Sequence, residues 1–122
     1  MPHAPASAPL LVACLCAQWC GSCREYRATF DDVARHFPDA QFVWIDIEDE
    51  SDLVDPIEVE NFPTLLIAVG VAPAFFGPLM PHRDTLARLV RTHADGEGGS
   101  GVTSPEVRAL VARLRRGDGT AD

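Results

Sequence analysis

The chain has 122 residues, enough to bury one core but not two. Hydrophobic residues make up 47% and charged residues 23% of it, the make-up of a folded chain, which excludes general disorder. Its ten basic residues are all Arg and face eighteen Asp and Glu, for a net charge of −8. That balance argues against grip on a nucleic-acid backbone, and the absence of Lys excludes a Lys nucleophile and its Schiff-base chemistry.

Residues 1–9 hold Pro2, Pro5 and Pro9 among small residues and read as a disordered leader. Leu10 to Ala17 (LLVACLCA) is short, continuous and apolar, the pattern of a strand covered on both faces. Leu11-Val12-Ala13-Cys14 also has the look of a lipoprotein cleavage box. No Lys or Arg precedes it, however, and the run is too short to span a bilayer, so the core-strand reading is preferred. From Cys20 the period changes: Tyr26, Phe30, Val33, Ala34 and Phe37 form one stripe of a helix reaching about His36, stopped by Pro38. Gln41 to Ile47 reads as a second strand. Residues 48–60 are acidic and irregular, with room for one helical turn. Thr64 to Val69 reads as a third strand, and Gly70 turns the chain into a fourth, Val71 to Phe76. Pro73 marks that fourth strand as an edge, and Gly77 and Pro78 are expected to end it. Arg83 to His93 reads as a helix with Leu86, Leu89 and Val90 inward. Asp95 to Gly101 is Gly-rich and linker-like. Ser104 and Pro105 then open a short amphipathic helix, with Val107, Leu110, Val111 and Leu114 on one face, ending near Arg116. The strand–helix–strand crossover makes the first two strands parallel, and the third and fourth form a hairpin.

All four cysteines, Cys14, Cys16, Cys20 and Cys23, fall within ten residues. A disulfide framework spreads its cysteines to close loops, so this crowding points to redox chemistry or a metal site. Trp19-Cys20-Gly21-Ser22-Cys23 lies where the first strand hands over to the first helix. Backbone N–H groups and the positive helix end there favour a thiolate, the attacking species in disulfide exchange. Cys23, almost one turn on, can reach back. Cys20 is therefore expected as the exposed nucleophile and Cys23 as the buried resolving thiol, with Gly21 and Ser22 small enough for the turn. Phe62-Pro63-Thr64 precedes the third strand; a Pro there is sterically allowed and leaves the Phe62 backbone free to pair with an extended substrate.

On these residues the chain resembles the thioredoxin family from about Leu10 to Arg91. WCGSC is similar to the family's active-site WCGPC, and Phe62-Pro63-Thr64 to its cis-proline loop; Gly77 and the closing helix follow in the expected order. The resemblance implies an α/β thioredoxin-like fold, a central mixed sheet of about four strands flanked by helices, with an extra C-terminal helix. It also implies thiol–disulfide exchange, with Trp19, Cys20, Cys23 and Pro63 in the familiar roles. Three departures stand out. Ser22 replaces the usual Pro. The family's buried acid falls at Cys14 and its companion Lys at Phe42. Nine residues leave no room for an opening strand and helix.

On a strand Cys14 and Cys16 share one face, where packing is the simpler role. Cys14, at the buried-acid position, is the possible auxiliary thiol, expected close to Cys23. Four thiolates on zinc are the competing use of the cluster, but a Trp-led motif opening a helix fits exchange better, and no metal site is assigned. His3, His36, His82 and His93 are scattered and pair with no cysteine. Asp46, Glu48, Asp49, Glu50, Asp52, Asp55, Glu58 and Glu60 carry eight negative charges in fifteen residues without an Arg. They read as a solvated loop bordering the substrate groove, or as a docking surface for a basic partner.

The expected organisation is a leader (1–9), a thioredoxin-like domain (10–94), a flexible linker (95–103), an appended helix (104–116) and a tail (117–122). The expected activity is that of a cytoplasmic thiol–disulfide oxidoreductase needing no cofactor. It acts on a disulfide-containing protein, is recycled by a reductase, and binds neither nucleic acid nor membrane. Cys20 and Cys23 are the catalytic pair; Trp19, Gly21, Ser22, Phe62, Pro63 and Thr64 bind substrate. The alternative is a binding module or assembly chaperone whose partner docks on the acidic loop and the C-terminal helix.

Overall fold

The computed structural model describes residues 10–17, 21–54, 57, 63–70, 72–78, 82–94, 102 and 104–116. The expected leader, the tail and all of the linker but residue 102 lie outside these. In chain order the elements are β1 (Leu10–Cys16), α1 (Gly21–Arg35), β2 (Gln41–Asp46), α2 (Ser51–Val54), β3 (Thr64–Val69), β4 (Ala72–Pro78), α3 (Arg83–Ala94) and α4 (Pro105–Arg116). The four strands form one sheet in the order β2-β1-β3-β4. β1 runs parallel to β2 and antiparallel to β3, and β3 and β4 are an antiparallel hairpin.

All seven residues of β1 are buried, because it is central and covered on both faces. Successive side chains of a strand point to opposite sides. Leu10, Val12, Cys14 and Cys16 accordingly enter one core with Leu65 and Ile67 of β3, Cys23, Tyr26, Phe30 and Val33 of α1, and Leu86 and Val90 of α3. Leu11, Ala13 and Leu15 enter the other, with Val43 and Ile45 of β2, Leu66 and Ala68 of β3, and Val107, Leu110, Val111 and Leu114 of α4. The C-terminal helix thus packs on its own sheet. Val102, assigned to the linker by the sequence, is half-buried against this second core.

Local contacts secure each helix. Phe30 meets Phe42 and Trp44 edge-on, with ring centroids 5.3 and 5.5 Å apart, and the Arg27 guanidinium sits 5.0 Å over the Trp44 ring. Asp32 ties α1 to the start of α3 by accepting from Arg83; that hydrogen bond, with a second from Arg35, holds its carboxyl below the usual range. The Val107 N–H donates to Ser104 Oγ at 3.3 Å, capping α4 as the Ser-Pro pair predicts. From the other end of α4, Arg115 donates to the Gly70 carbonyl at 2.8 Å and to Gln41 Oε1 at 3.0 Å, fixing the helix at two points of the sheet.

One strand end differs from expectation. β4 continues through Gly77 and Pro78, which pair with Leu65 and Thr64; an edge strand bonds a neighbour on one side only, so Gly and Pro need not end it. The pairing slips between Ile67 and Ala68, beside Pro73, an irregularity typical of an edge. Gly70 sits at φ 65° in the β3–β4 turn, a conformation that favours glycine. The acidic stretch contains the single helical turn α2, and ahead of it the Asp46 carboxylate holds the turn that follows β2 by accepting from the Glu48 and Asp49 N–H groups at 2.9 and 3.2 Å.

Because Leu110 is fully buried between α4 and the sheet, Leu110→Ala is expected to lower stability by about 2–5 kcal/mol. Denaturant unfolding measures this. An unchanged midpoint would mean that α4 does not rest on this face in solution.

Candidate active site

The C-terminal end of β1, the first turn of α1 and the start of β3 converge. Leu15 pairs with Thr64, so Pro63, one residue earlier on an antiparallel strand, arrives beside the end of β1. The Cys16 carbonyl accepts from the Ile47 N–H at 2.9 Å, which anchors the other side. Pro63 and Thr64 are both buried. α1 begins at Gly21, so Cys23 is its third residue, inside the turn where unpaired backbone N–H groups and the helix dipole favour negative charge.

Cys23 is bonded to Cys16 in a disulfide, with Cα atoms 5.8 Å apart. Each of the two is only 1% exposed. The Ala17 N–H donates to the Cys23 sulfur at 3.4 Å. Cys14 is a free, fully buried thiol whose S–H donates to the Cys16 sulfur, 3.9 Å away. Burial pushes the Cys14 thiol far above its ordinary 9.0, against a weaker opposing pull from Arg27. Burial, with Cys14 adding to it, likewise raises the Tyr26 hydroxyl, which is buried with no hydrogen-bond partner among the described residues.

Of the residues singled out in the sequence, Cys14, Cys23, Pro63 and Thr64 are brought to this corner, whereas Trp19, Cys20 and Phe62 lie outside the described residues. The partner of Cys23 differs from the sequence expectation. The sequence makes Cys14 the auxiliary-thiol candidate and gives Cys16 a packing role, yet Cys16 is the strand cysteine that reaches Cys23. The signal was present in the order of the two. Cys16 ends β1, next to the turn into α1, and Cys14 lies two residues deeper, about 6.6 Å along a strand. Gly21 is exposed, and a Cβ there would meet nothing nearer than Arg24 Nη2 at 3.7 Å. Its smallness is therefore not demanded by close packing. Among the described residues no Asp or Glu is buried, so none lies in the core beside Cys14 and Cys23. No group of three or more His, Cys, Asp or Glu among them is arranged to hold a metal ion, and no helix among them is long and apolar enough to cross a membrane.

A mixed four-stranded sheet with helices on both faces and a cysteine in the first turn after β1 defines a thioredoxin-like domain. The thioredoxin family model matches residues 4–76, more than half of the chain, and the protein belongs to the thioredoxin family. Similar curated proteins include thioredoxin H2-2 of Oryza sativa subsp. japonica, 38% identical over 61 residues that cover 50% of this chain and 46% of that one. Thioredoxin-2 of Saccharomyces cerevisiae is 33% identical over 61 residues, covering 50% and 59%. The chain spans about half the length of the curated relatives it matches. Among solved structures, a mutant thioredoxin from Halobacterium salinarum has a TM-score of 0.63 at 19% identity, covering 81% of each chain. Thioredoxin from Trypanosoma brucei brucei has a TM-score of 0.64 at 24% identity, covering 74% and 79%. These likenesses establish the fold.

The raised Cys14 and Tyr26 groups fix the sign of an alkaline effect. Unfolded, they release protons above their ordinary values of 9.0 and 10.0; folded, they keep them. The unfolded state then binds fewer protons, so stability is whole below pH 9.0 and falls as pH rises beyond it. Denaturant melts across this range are expected to show the fall, and Cys14→Ala to remove its first part. An equally steep fall in the variant would contradict the assignment.

Proposed function

We propose that the protein is a thiol–disulfide oxidoreductase that uses the Cys20-Gly21-Ser22-Cys23 dithiol on protein disulfides. The observation that carries the proposal is the state of Cys23: it lies in the first turn of α1, takes part in a disulfide and receives the Ala17 N–H on its sulfur. Cys20, immediately before the helix in sequence, attacks a substrate disulfide as the thiolate and forms a mixed disulfide. Cys23 then attacks the Cys20 sulfur and releases the second substrate thiol. The helix start and the Ala17 N–H stabilise the Cys23 thiolate in place of the family's carboxylate–lysine pair. Phe62-Pro63, in the cis form that the resemblance implies, presents backbone to the substrate, while Trp19, Gly21, Ser22 and Thr64 shape the groove. The chemistry needs no cofactor. It needs a reductase to return electrons, which suits a cytoplasmic setting.

The competing reading, a binding module gripped by the acidic loop and the C-terminal helix, loses half of its surface. The apolar face of α4 is already buried against the sheet.

An insulin disulfide-reduction assay tests the proposal. Wild type is expected to accelerate reduction, and Cys20→Ser to bring it down to the uncatalysed background. A wild type indistinguishable from buffer would overturn the oxidoreductase reading in favour of the binding module.

A further inference from the structure

We propose that Cys16 is a third redox thiol of this protein: the disulfide formed between Cys20 and Cys23 on turnover is passed inward to Cys16, leaving a Cys16–Cys23 bond in the core and Cys20 as a free thiol. The inference rests on the dithiol reading above and extends it.

Three observations lead to it. First, Cys16 and Cys23 are joined, and their 5.8 Å Cα separation lies within the ordinary span of a disulfide, so the backbone is already placed for the bond. Second, both residues are withdrawn from solvent, so a protein disulfide cannot meet them directly. Oxidising equivalents must come from a neighbouring cysteine, and Cys20, three residues before Cys23, is the one that the sequence supplies. Third, the polar contacts assign roles among the strand cysteines. Cys14 donates its S–H to the Cys16 sulfur, and the Ala17 N–H donates to the Cys23 sulfur. Negative charge developing on Cys16 or Cys23 is therefore met by a donor. Cys14, which burial keeps protonated, serves as that donor and not as a nucleophile.

The exchange balances without an outside reagent. The Cys16 thiolate attacks the Cys23 sulfur; the Cys16–Cys23 bond forms, the Cys20–Cys23 bond breaks, and Cys20 leaves as the thiolate. The proton lost by Cys16 is taken up by Cys20 or by solvent. Over the whole sequence one substrate disulfide gains two electrons and becomes two thiols, and the Cys16 and Cys23 thiols supply them. The product state differs from an ordinary oxidised CxxC: its disulfide is stored inside the core while the attacking cysteine is ready to react again.

Disulfide mapping tests this on wild type. Protein that has turned over insulin is quenched in acid, blocked with N-ethylmaleimide, and cut with trypsin after Arg24 and with chymotrypsin after Trp19. The proposal expects the fragment ending at Trp19 to stay joined to Cys20–Arg24 through Cys16–Cys23, with maleimide on Cys20. Recovery of Cys20–Arg24 as a separate piece with its own internal disulfide, and maleimide on Cys16, would overturn it. In Cys16→Ser the joined fragment should vanish, and maleimide on Cys20 in oxidised protein should drop at least about tenfold; undiminished labelling would equally overturn the proposal. Cys14→Ala should keep the joined fragment. The wild-type map needs no variant, so a misfolded mutant leaves the test intact. Failure of the dithiol reading shows separately, as a wild type that leaves insulin untouched. Diamide-oxidised wild type then reports the pairing, and a Cys20–Cys23 bond in it would overturn the inference as well.

Discussion

Seven consecutive residues of β1 are shielded from water, and their side chains alternate between two cores. A strand with that composition is stable only if each side of the sheet is roofed, so both helix layers follow from it. α1 and α3 roof one side. α4 roofs the other, held at its end by Arg115 reaching to Gly70 and Gln41. The same burial determines where chemistry can occur. Only the C-terminal end of β1 lies against the opening turn of α1 and the start of β3, and Cys16, Cys23 and Pro63 gather there.

The consequence for the sulfur chemistry is a change in what supports charge. In the core that holds Cys23, the strand contributes Cys14, and Phe42 of β2 is half-buried there too. A carboxylate in such a pocket would carry its own desolvation cost. A protonated thiol carries almost none and can still donate a hydrogen bond. In the exchange proposed above, charge on sulfur rests on fixed dipoles, the Ala17 N–H and the helix start, and those do not titrate.

Most of the fold was legible because its signals are local and repetitive. The unbroken apolar run gave β1, the stripe of Tyr26, Phe30 and Val33 gave α1, and Ser104-Pro105 gave the start of α4. Pro73 gave the edge. What was not legible depends on which surfaces meet. The apolar positions of α4 show that it must cover something, and its own domain is the simpler cover, but they do not say which face of the sheet it takes. Alternation puts Cys14 and Cys16 on one face and the buried-acid position favours Cys14; only the closing of α1 over the strand's end shows that Cys16 is the one that reaches Cys23. β4 outran its expected end for a similar reason, since Gly and Pro interrupt a strand only where both of its sides must bond.

The position of α4 in the chain has a bearing on how the protein is made. Every strand leaves the ribosome before α4 does, so a nascent chain can assemble the β1–β3 centre while Leu11, Ala13, Leu15, Leu66 and Ala68 are still bare on one side. That apolar surface is closed only when Val107 to Leu114 emerge. During synthesis it is open to chaperones and to neighbouring chains until one twelve-residue helix arrives and docks.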